Sequence, residues 1–172
     1  MLNADPNKLR FFYGTAPQPC PYLPGRQESK AVTELNTLDA VHLHDVLSRA
    51  GFRRSHSIAY RPACPRCNAC VPARVRVQEF QMTKSMRRTM RRNIDLTHHE
   101  TQAFATEEQY ELFRSYEQAR HSEGEMARMD FNDYRSMVED TPVDTVTIEF
   151  RDPSGTLAAV ALTDRLSDGL SG

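Results

Sequence analysis

Between Asn36 and Gly51 the chain reads NTLDAVHLHDVLSRAG, and Leu43, Val46, Leu47 and Ala50 recur at the i, i+3, i+4, i+7 spacing of one helix face. Gly51 suits the position just past a helix end, where left-handed backbone closes the last turn. Residues 53–60 (RRSHSIAY) and 74–80 (RVRVQEF) alternate polar and apolar positions and predict two strands, with a loop between them. From Gln81 the period changes. Met82, Met86 and Met90 recur every fourth residue, and at about 100° per residue Lys84, Arg87, Arg88, Arg91 and Arg92 fall on the opposite side. This pattern predicts a helix with a methionine stripe docked on a core and a row of cations facing away from it.

The second half has a different rhythm. TEEQ at 106–109 is a capping-box pattern and opens a helix through about His121, with Leu112, Phe113 and Tyr116 inward. DFNDYRSMVED predicts a second helix with Phe131, Tyr134, Met137 and Val138 on one stripe. DTVTIEF alternates as a strand, RDPSG turns the chain, and TLAAVAL is apolar on both faces, as a central strand is. The expected class is α+β, with a small module over residues 1–95 and a second domain over 104–172.

Length and composition set bounds on this picture. A chain of 172 residues with 39% hydrophobic content can form one ample domain or two small ones. No apolar run approaches the length of a membrane span, and the opening MLNADPNKLRFF has no apolar signal region. A cytoplasmic location with reduced thiols and no membrane partner is expected. The net charge of −1 hides a strong segregation. Half of the 22 Lys/Arg residues lie within 53–92 (Arg53, Arg54, Arg61, Arg66, Arg74, Arg76, Lys84, Arg87, Arg88, Arg91, Arg92), against the single acid Glu79. Such a block points to an anionic partner, nucleic acid first, or else to a solvated basic surface.

Three of the four cysteines, Cys64, Cys67 and Cys70, form a C-x-x-C-x-x-C run in RPACPRCNACVP, with Cys20 far upstream in QPCPYLPGR. A C-x-x-C pair lets two thiolates reach one ion across a tight turn; a third continues the wrap, and Cys20 would complete four ligands if its loop folds back. Pro62, Pro65 and Pro72 stiffen the run and lower the entropy lost on ordering it. The set suits a four-cysteine zinc site or an iron–sulfur cluster, the alternative being four free thiols packed as small hydrophobes. Metal beside a basic face would, on composition alone, describe a zinc module that binds nucleic acid.

Longer motifs are more particular. FFYGTAPQPCPYLPGRQESKAVTEL, GFRRSHSIAYRPACPRCNACVPARVRV and SMRRTMRRNIDL resemble the N-terminal domain of the aminoacyl-tRNA–protein transferases of the arginyltransferase family, most closely its bacterial leucyl branch. AVALTDRLSDGLS resembles the start of that family's C-terminal transferase domain, which has an acetyltransferase-like fold. The resemblance implies transfer of an amino acid, leucine in that branch, from leucyl-tRNA to the N-terminal Asp or Glu of protein substrates, marking them for N-degron degradation. The family's transferase domain runs on beyond the DGLS stretch, so this chain is expected to be a fragment or a truncated product, with the activity belonging to the complete protein.

The resemblance gives the residues chemical roles. Acyl transfer from an activated ester needs a deprotonated attacking amine and a stabilised oxyanion, but no nucleotide cofactor. Lys84, Arg87, Arg88, Arg91 and Arg92 are the candidates for the tRNA phosphates. Arg53, Arg54 and Arg61 are the candidates for the acceptor's carboxylate, with Arg61 the first choice, because bidentate pairing favours Arg. Asp164, near the end of the apolar strand, is the single candidate for a catalytic base. The rival reading is a non-catalytic zinc-ribbon RNA-binding protein.

Overall fold

The structure, a computed structural model, describes residues 9–172 and divides into two compact units. One comprises the chain to Ala73 with the short returns Thr141–Asp144 and Leu166–Gly169; the other comprises Arg74–Asp140, Thr145–Arg165 and Leu170–Gly172. Helices are interspersed among strands whose described pairings are antiparallel, without the parallel β-α-β crossovers of an α/β sheet, so the class is α+β.

The first unit is built on a four-stranded antiparallel sheet. Its strands are β1 (Tyr13–Gly14), β4 (Lys30–Glu34), β5 (Arg53–Ser55) and β6 (Ile58–Pro62), in the order β1-β4-β6-β5. Two short strands, β2 (Gln18–Pro19) and β3 (Gln27–Glu28), form a separate hairpin. Helix α1 (Ala40–Arg49) covers one face, burying Leu43 and Leu47 with Leu35, Ala40, Ala59 and Val143, and Phe52 packs at the edge. Of the periodic stripe read from the sequence only Leu43 and Leu47 are buried; Val46 and Ala50 are exposed, and Ala40 and His44 turn inward instead. The buried face thus lies one step round the helix from the one expected, and its burial is what orders a helix of this length. The strand expected over 53–60 is instead a tight hairpin. His56, at φ 52°, turns the chain between β5 and β6, which the unbroken alternation of RRSHSIAY concealed.

Gly51 ends α1 as expected, at φ +84°. A Cβ there would stand 2.7 Å from Pro72 Cγ, so this glycine also admits the end of the cysteine loop. Gly51→Ala is therefore expected to destabilise the protein by about 1–3 kcal/mol, more than the positive φ alone costs. Urea unfolding measures it, and a change below a few tenths of a kcal/mol would show that Pro72 moves aside freely.

The second unit begins in irregular chain. Residues 74–80 form no strand; Val77–Glu79 is a single 3₁₀ turn and the whole stretch is exposed. Alternating Val75 and Val77 fit a strand, but no partner strand pairs with them among the described residues. Helix α2 (Lys84–Arg92) follows, its N-cap Thr83 accepting a hydrogen bond from the Met86 N–H at 3.2 Å. The expected docking of its methionine stripe is corrected here. Met82, Met86 and Met90 are 43%, 44% and 60% exposed, and every residue of α2 is exposed. Periodicity states which residues share a face, not whether anything covers it.

Beyond α2, the strand β7 (Thr97–Gln102) leads to α3 (Glu107–Arg120), α4 (Phe131–Glu139), β8 (Thr145–Arg151), β9 (Leu157–Leu166) and β10 (Gly169–Ser171). The sheet order is β10-β9-β8-β7, so β9 is interior, as its apolar sequence indicated. The reciprocal capping box of Thr106 and Gln109 opens α3 and His121 caps its end. A second box, Asp130 with Asp133, opens α4. Ala105, Tyr134 and Val138 centre the core, with Tyr110, Phe113, Phe131, Met137 and Leu162 packed around them.

Candidate functional site: a cationic helix, a cysteine loop and an apolar cavity

Helix α2 carries its cations on open backbone. Arg87 donates to the Met82 carbonyl, and Arg91 Nε donates to the Arg87 carbonyl at 3.3 Å. Lys84, Arg88 and Arg92 make no comparable contact among the described residues. Five cations on a helix of nine residues are thus exposed, with no acid paired to them among the described residues.

The three arginines considered for a carboxylate do not share one face. β5 pairs Arg53 with Tyr60 and Arg54 with Ala59, and β4 pairs Ala31 with Arg61. Strand alternation therefore sets Arg54 and Arg61 on the α1 side with buried Ala59, and Arg53 on the opposite side with Tyr60. Arg61 is committed. It donates to the Ala50 carbonyl at the end of α1, at 3.2 Å, and lies 5.2 Å from the Phe52 ring centroid. Arg54 donates to the His56 carbonyl at 3.0 Å. Arg53 is exposed, and its guanidinium makes no hydrogen bond or ion pair among the described residues.

The cysteine loop hangs on the stretch around residues 26–29. The Cys20 N–H donates to the Arg26 carbonyl at 2.9 Å, the Ala63 N–H donates to the Ser29 carbonyl at 2.8 Å, and Cys64 Sγ sits 3.6 Å from that same carbonyl. The Cys67 N–H closes a turn on the Cys64 carbonyl at 3.3 Å, and Arg66 within it takes φ 58°. All four thiols are free, and Cys70 is exposed. The backbone thus draws Cys20 and Cys64 to one short stretch. Yet among the described residues no three His, Cys, Asp or Glu side chains are arranged to hold a metal ion. As placed, the thiols suit zinc or an iron cluster in kind but not in position, and no chemical step is assigned to either.

Asp164 is 5% exposed and accepts a 2.7 Å hydrogen bond from the Thr145 hydroxyl directly across the β8–β9 ladder. That position is a cross-strand tie inside the sheet.

Sequence reasoning missed the cavity between α3, α4 and the sheet. It measures about 380 Å³, with walls from Leu112, Phe113, Met137, Val138, Val160 and Leu162. Gln109, Glu117, Tyr134 and Thr147 add polar groups to the lining. Gln109 Nε2 donates to Glu149 Oε1 at 2.8 Å, and Gln109 Oε1 accepts from the Thr106 N–H and the Tyr134 hydroxyl. Burial, with the Glu149 charge adding to it, pushes the Tyr134 hydroxyl up to about 12, so it stays a neutral donor. Arg151 bridges Glu149 and Glu108, tying the first turn of α3 to the end of β8; its hydrogen bond holds the Glu108 carboxyl below the usual range. Of the stripe read for α3, Leu112 and Phe113 are half-buried but Tyr116, expected inward, is 55% exposed, and Glu117 takes the buried position beside it.

The model of the N terminus of arginine-tRNA-protein transferases matches residues 18–88, and that of their C terminus matches residues 108–172. Curated relatives agree across both halves. The aspartate/glutamate leucyltransferase of Gluconacetobacter diazotrophicus is 56% identical over 171 residues, covering 99% of this chain and 66% of the relative. That of Paramagnetospirillum magneticum is 58% identical over 161 residues, 94% and 66%. That of Parvibaculum lavamentivorans is 54% identical over 169 residues, 97% and 70%. The chain belongs to the arginine-tRNA-protein transferase family.

It spans about two thirds of the length of the curated relatives it matches. The N-terminal match takes in all four cysteines, Arg53, Arg54, Arg61 and most of α2; the C-terminal match takes in the cavity and Asp164. A stand-alone RNA-binding ribbon leaves the second match without a reason, so that reading has no support. No helix among the described residues is long and apolar enough to cross a membrane.

Proposed function

We propose that this chain is part of an enzyme that transfers leucine from leucyl-tRNA to the N-terminal Asp or Glu of proteins, marking them for degradation by the N-degron pathway. The observation that carries the reading is the ordered match to both ends of the transferase family, in a chain whose relatives are named aspartate/glutamate leucyltransferase. The second unit, with two helices followed by an antiparallel sheet, is read as the opening of an acetyltransferase-like fold. The setting is the cytoplasm.

The reaction is an aminolysis. The acceptor's α-amine attacks the leucyl ester carbonyl, the bond from that carbon to the ribose oxygen breaks, and the proton lost by the amine ends on the ribose hydroxyl. The ester is already activated, so positioning and charge supply most of the acceleration. Helix α2 meets the tRNA phosphates with Lys84, Arg87, Arg88, Arg91 and Arg92. Arg53, whose guanidinium is uncommitted, is assigned to the acceptor's side-chain carboxylate in preference to Arg61 or Arg54. Asp164 is left to hold the sheet.

Incubating the full-length protein with leucyl-tRNA and a peptide beginning with Asp tests this. The peptide is expected to gain the mass of one leucyl residue at its N-terminus. Unmodified peptide from folded, tRNA-binding protein would overturn the reading.

A further inference from the structure

The four-stranded sheet of the first unit has two unlike faces. Helix α1 packs on the side of Leu35 and Ala59. Strand alternation puts Tyr13, Val32, Tyr60 and Arg53 on the other side, and the pairing sets them in one row. Tyr13 of β1 faces Val32 of β4, Val32 faces Tyr60 of β6, and Tyr60 faces Arg53 of β5. The row crosses all four strands, with a phenol ring in its first and third places and a guanidinium in its fourth. Tyr13 is 60% exposed and Arg53 is exposed, while Val32 and Tyr60 are half-buried. Lys30, two residues before Val32, holds its ammonium 5.6 Å from the Tyr60 ring centroid and 3.1 Å from a Glu28 carboxylate oxygen. Glu34, at the other end of β4, is the one acid that these four strands place on this face. Tyr60 thus has one cation over its ring and a second beside it in the row.

We propose, building on the aminoacyl-transfer reading above, that this row is a stacking platform for unpaired nucleotides, those of the single-stranded 3′ end of the donor tRNA. A single strand offers base faces as well as phosphates, and rings set beside cations answer both. The charge favours this occupant. A protein seated on the row would bury Arg53 and must bring its own acid to it, whereas a nucleic acid carries an anion on every nucleotide. Tyr13 and Tyr60 stand two strand spacings apart, roughly 10 Å. Bases stacked on one another are only about 3.4 Å apart, so the two rings suit nucleotides splayed from a single strand and not a duplex. The arrangement also places the ester. Leucine is carried on the terminal ribose, so a terminal base on Tyr60 sets the ester beside Arg53, one strand away, which the transfer reading assigns to the acceptor's carboxylate. An inner base then lies on Tyr13.

The test compares two single strands of equal charge. A labelled RNA of about eight nucleotides ending in CCA, and an abasic strand of the same length, are titrated with the full-length protein by fluorescence polarisation. The strand with bases is expected to bind at least tenfold more tightly. Tyr60→Ala and Tyr13→Thr are each expected to weaken it about tenfold and to leave the abasic strand, held through its phosphates, as it is. Tyr60→Phe keeps the ring and should keep the affinity. Tyr13→Thr lies on an edge strand and retains β propensity, so it reads the platform even if Tyr60→Ala unfolds the sheet. Equal affinity for the two strands, or a preference untouched in folded Tyr13→Thr and Tyr60→Ala, would overturn the proposal. Neither strand carries leucine and no acceptor is present, so loss of this preference and failure of the transfer reaction are separate results.

Discussion

Replacing Arg87, Arg88, Arg91 and Arg92 together by Gln in the full-length protein is expected to weaken tRNA binding on the order of a hundredfold at low salt. It should also flatten the salt dependence, the slope of log K against log salt falling by about 0.7–0.9 for each phosphate left without its cation. Glutamine keeps helix propensity, whereas glutamate at Arg92 would oppose the dipole at the helix end and confuse weakened binding with fraying. No residue of α2 is buried, so the substitutions disturb no core. Circular dichroism confirms that the helix persists, and filter binding across a salt series reads the slope. An unchanged slope would make the row an ordinary solvated surface. The exposed methionines give a control within the same helix. Met86→Gln changes the apolar side without changing charge, so it should leave the salt slope as it is.

Selection of an N-terminal Asp over Asn is expected to rest on one guanidinium, since the two side chains have nearly the same shape and differ in charge. A bidentate arginine left facing an amide loses a charge-assisted pair, worth about 1.5–3 kcal/mol. Arg53→Ala is therefore expected to lower kcat/KM for Asp-initiated peptides by roughly ten- to a hundredfold. Transfer to Asn-initiated peptides, already slow, should hardly change. Arg61→Ala is expected to behave differently. It removes the cap on the Ala50 carbonyl and the cation over the Phe52 ring, so stability should fall while the Asp/Asn ratio is kept. Should Arg61→Ala erase the ratio and Arg53→Ala spare it, the assignment of the two arginines would be reversed.

Much of this fold was legible because its signals are local. The helical period of α1, the left-handed Gly51, the Thr106–Gln109 box and the Asp152–Gly155 turn each declare themselves within a few residues, and each is formed, although α1 buries Ala40 and His44 with Leu43 and Leu47 rather than Val46 and Ala50. What escaped needs information from elsewhere in the chain. β7, THHETQ, is exposed along its whole length and carries no hydrophobic alternation; it exists because β8 offers it a ladder. Residues 74–80 alternate well but have no partner strand among the described residues. The methionine stripe of α2 specified a face without specifying its cover. At the site, residue types were readable and relationships were not. The arginines looked equivalent until strand parity separated Arg53 from Arg54 and Arg61. The cysteine spacing established reach along the chain, not convergence. Glu117 read as one more charge on a helix, because only the packing of α3 on the sheet turns it toward an apolar cavity.

The pairing of leucyl donor with acidic acceptor is addressed by a single competition assay. The full-length protein is offered leucyl-tRNA and arginyl-tRNA together, with peptides beginning with Asp, Asn or Lys, and the products are resolved by mass. Leucine is expected on the Asp peptide, with little on the Asn peptide, none on the Lys peptide and only minor arginine transfer throughout. Leucine appearing on the Lys peptide in preference to the Asp peptide, or arginine as the main residue transferred, would show the pairing to be wrong.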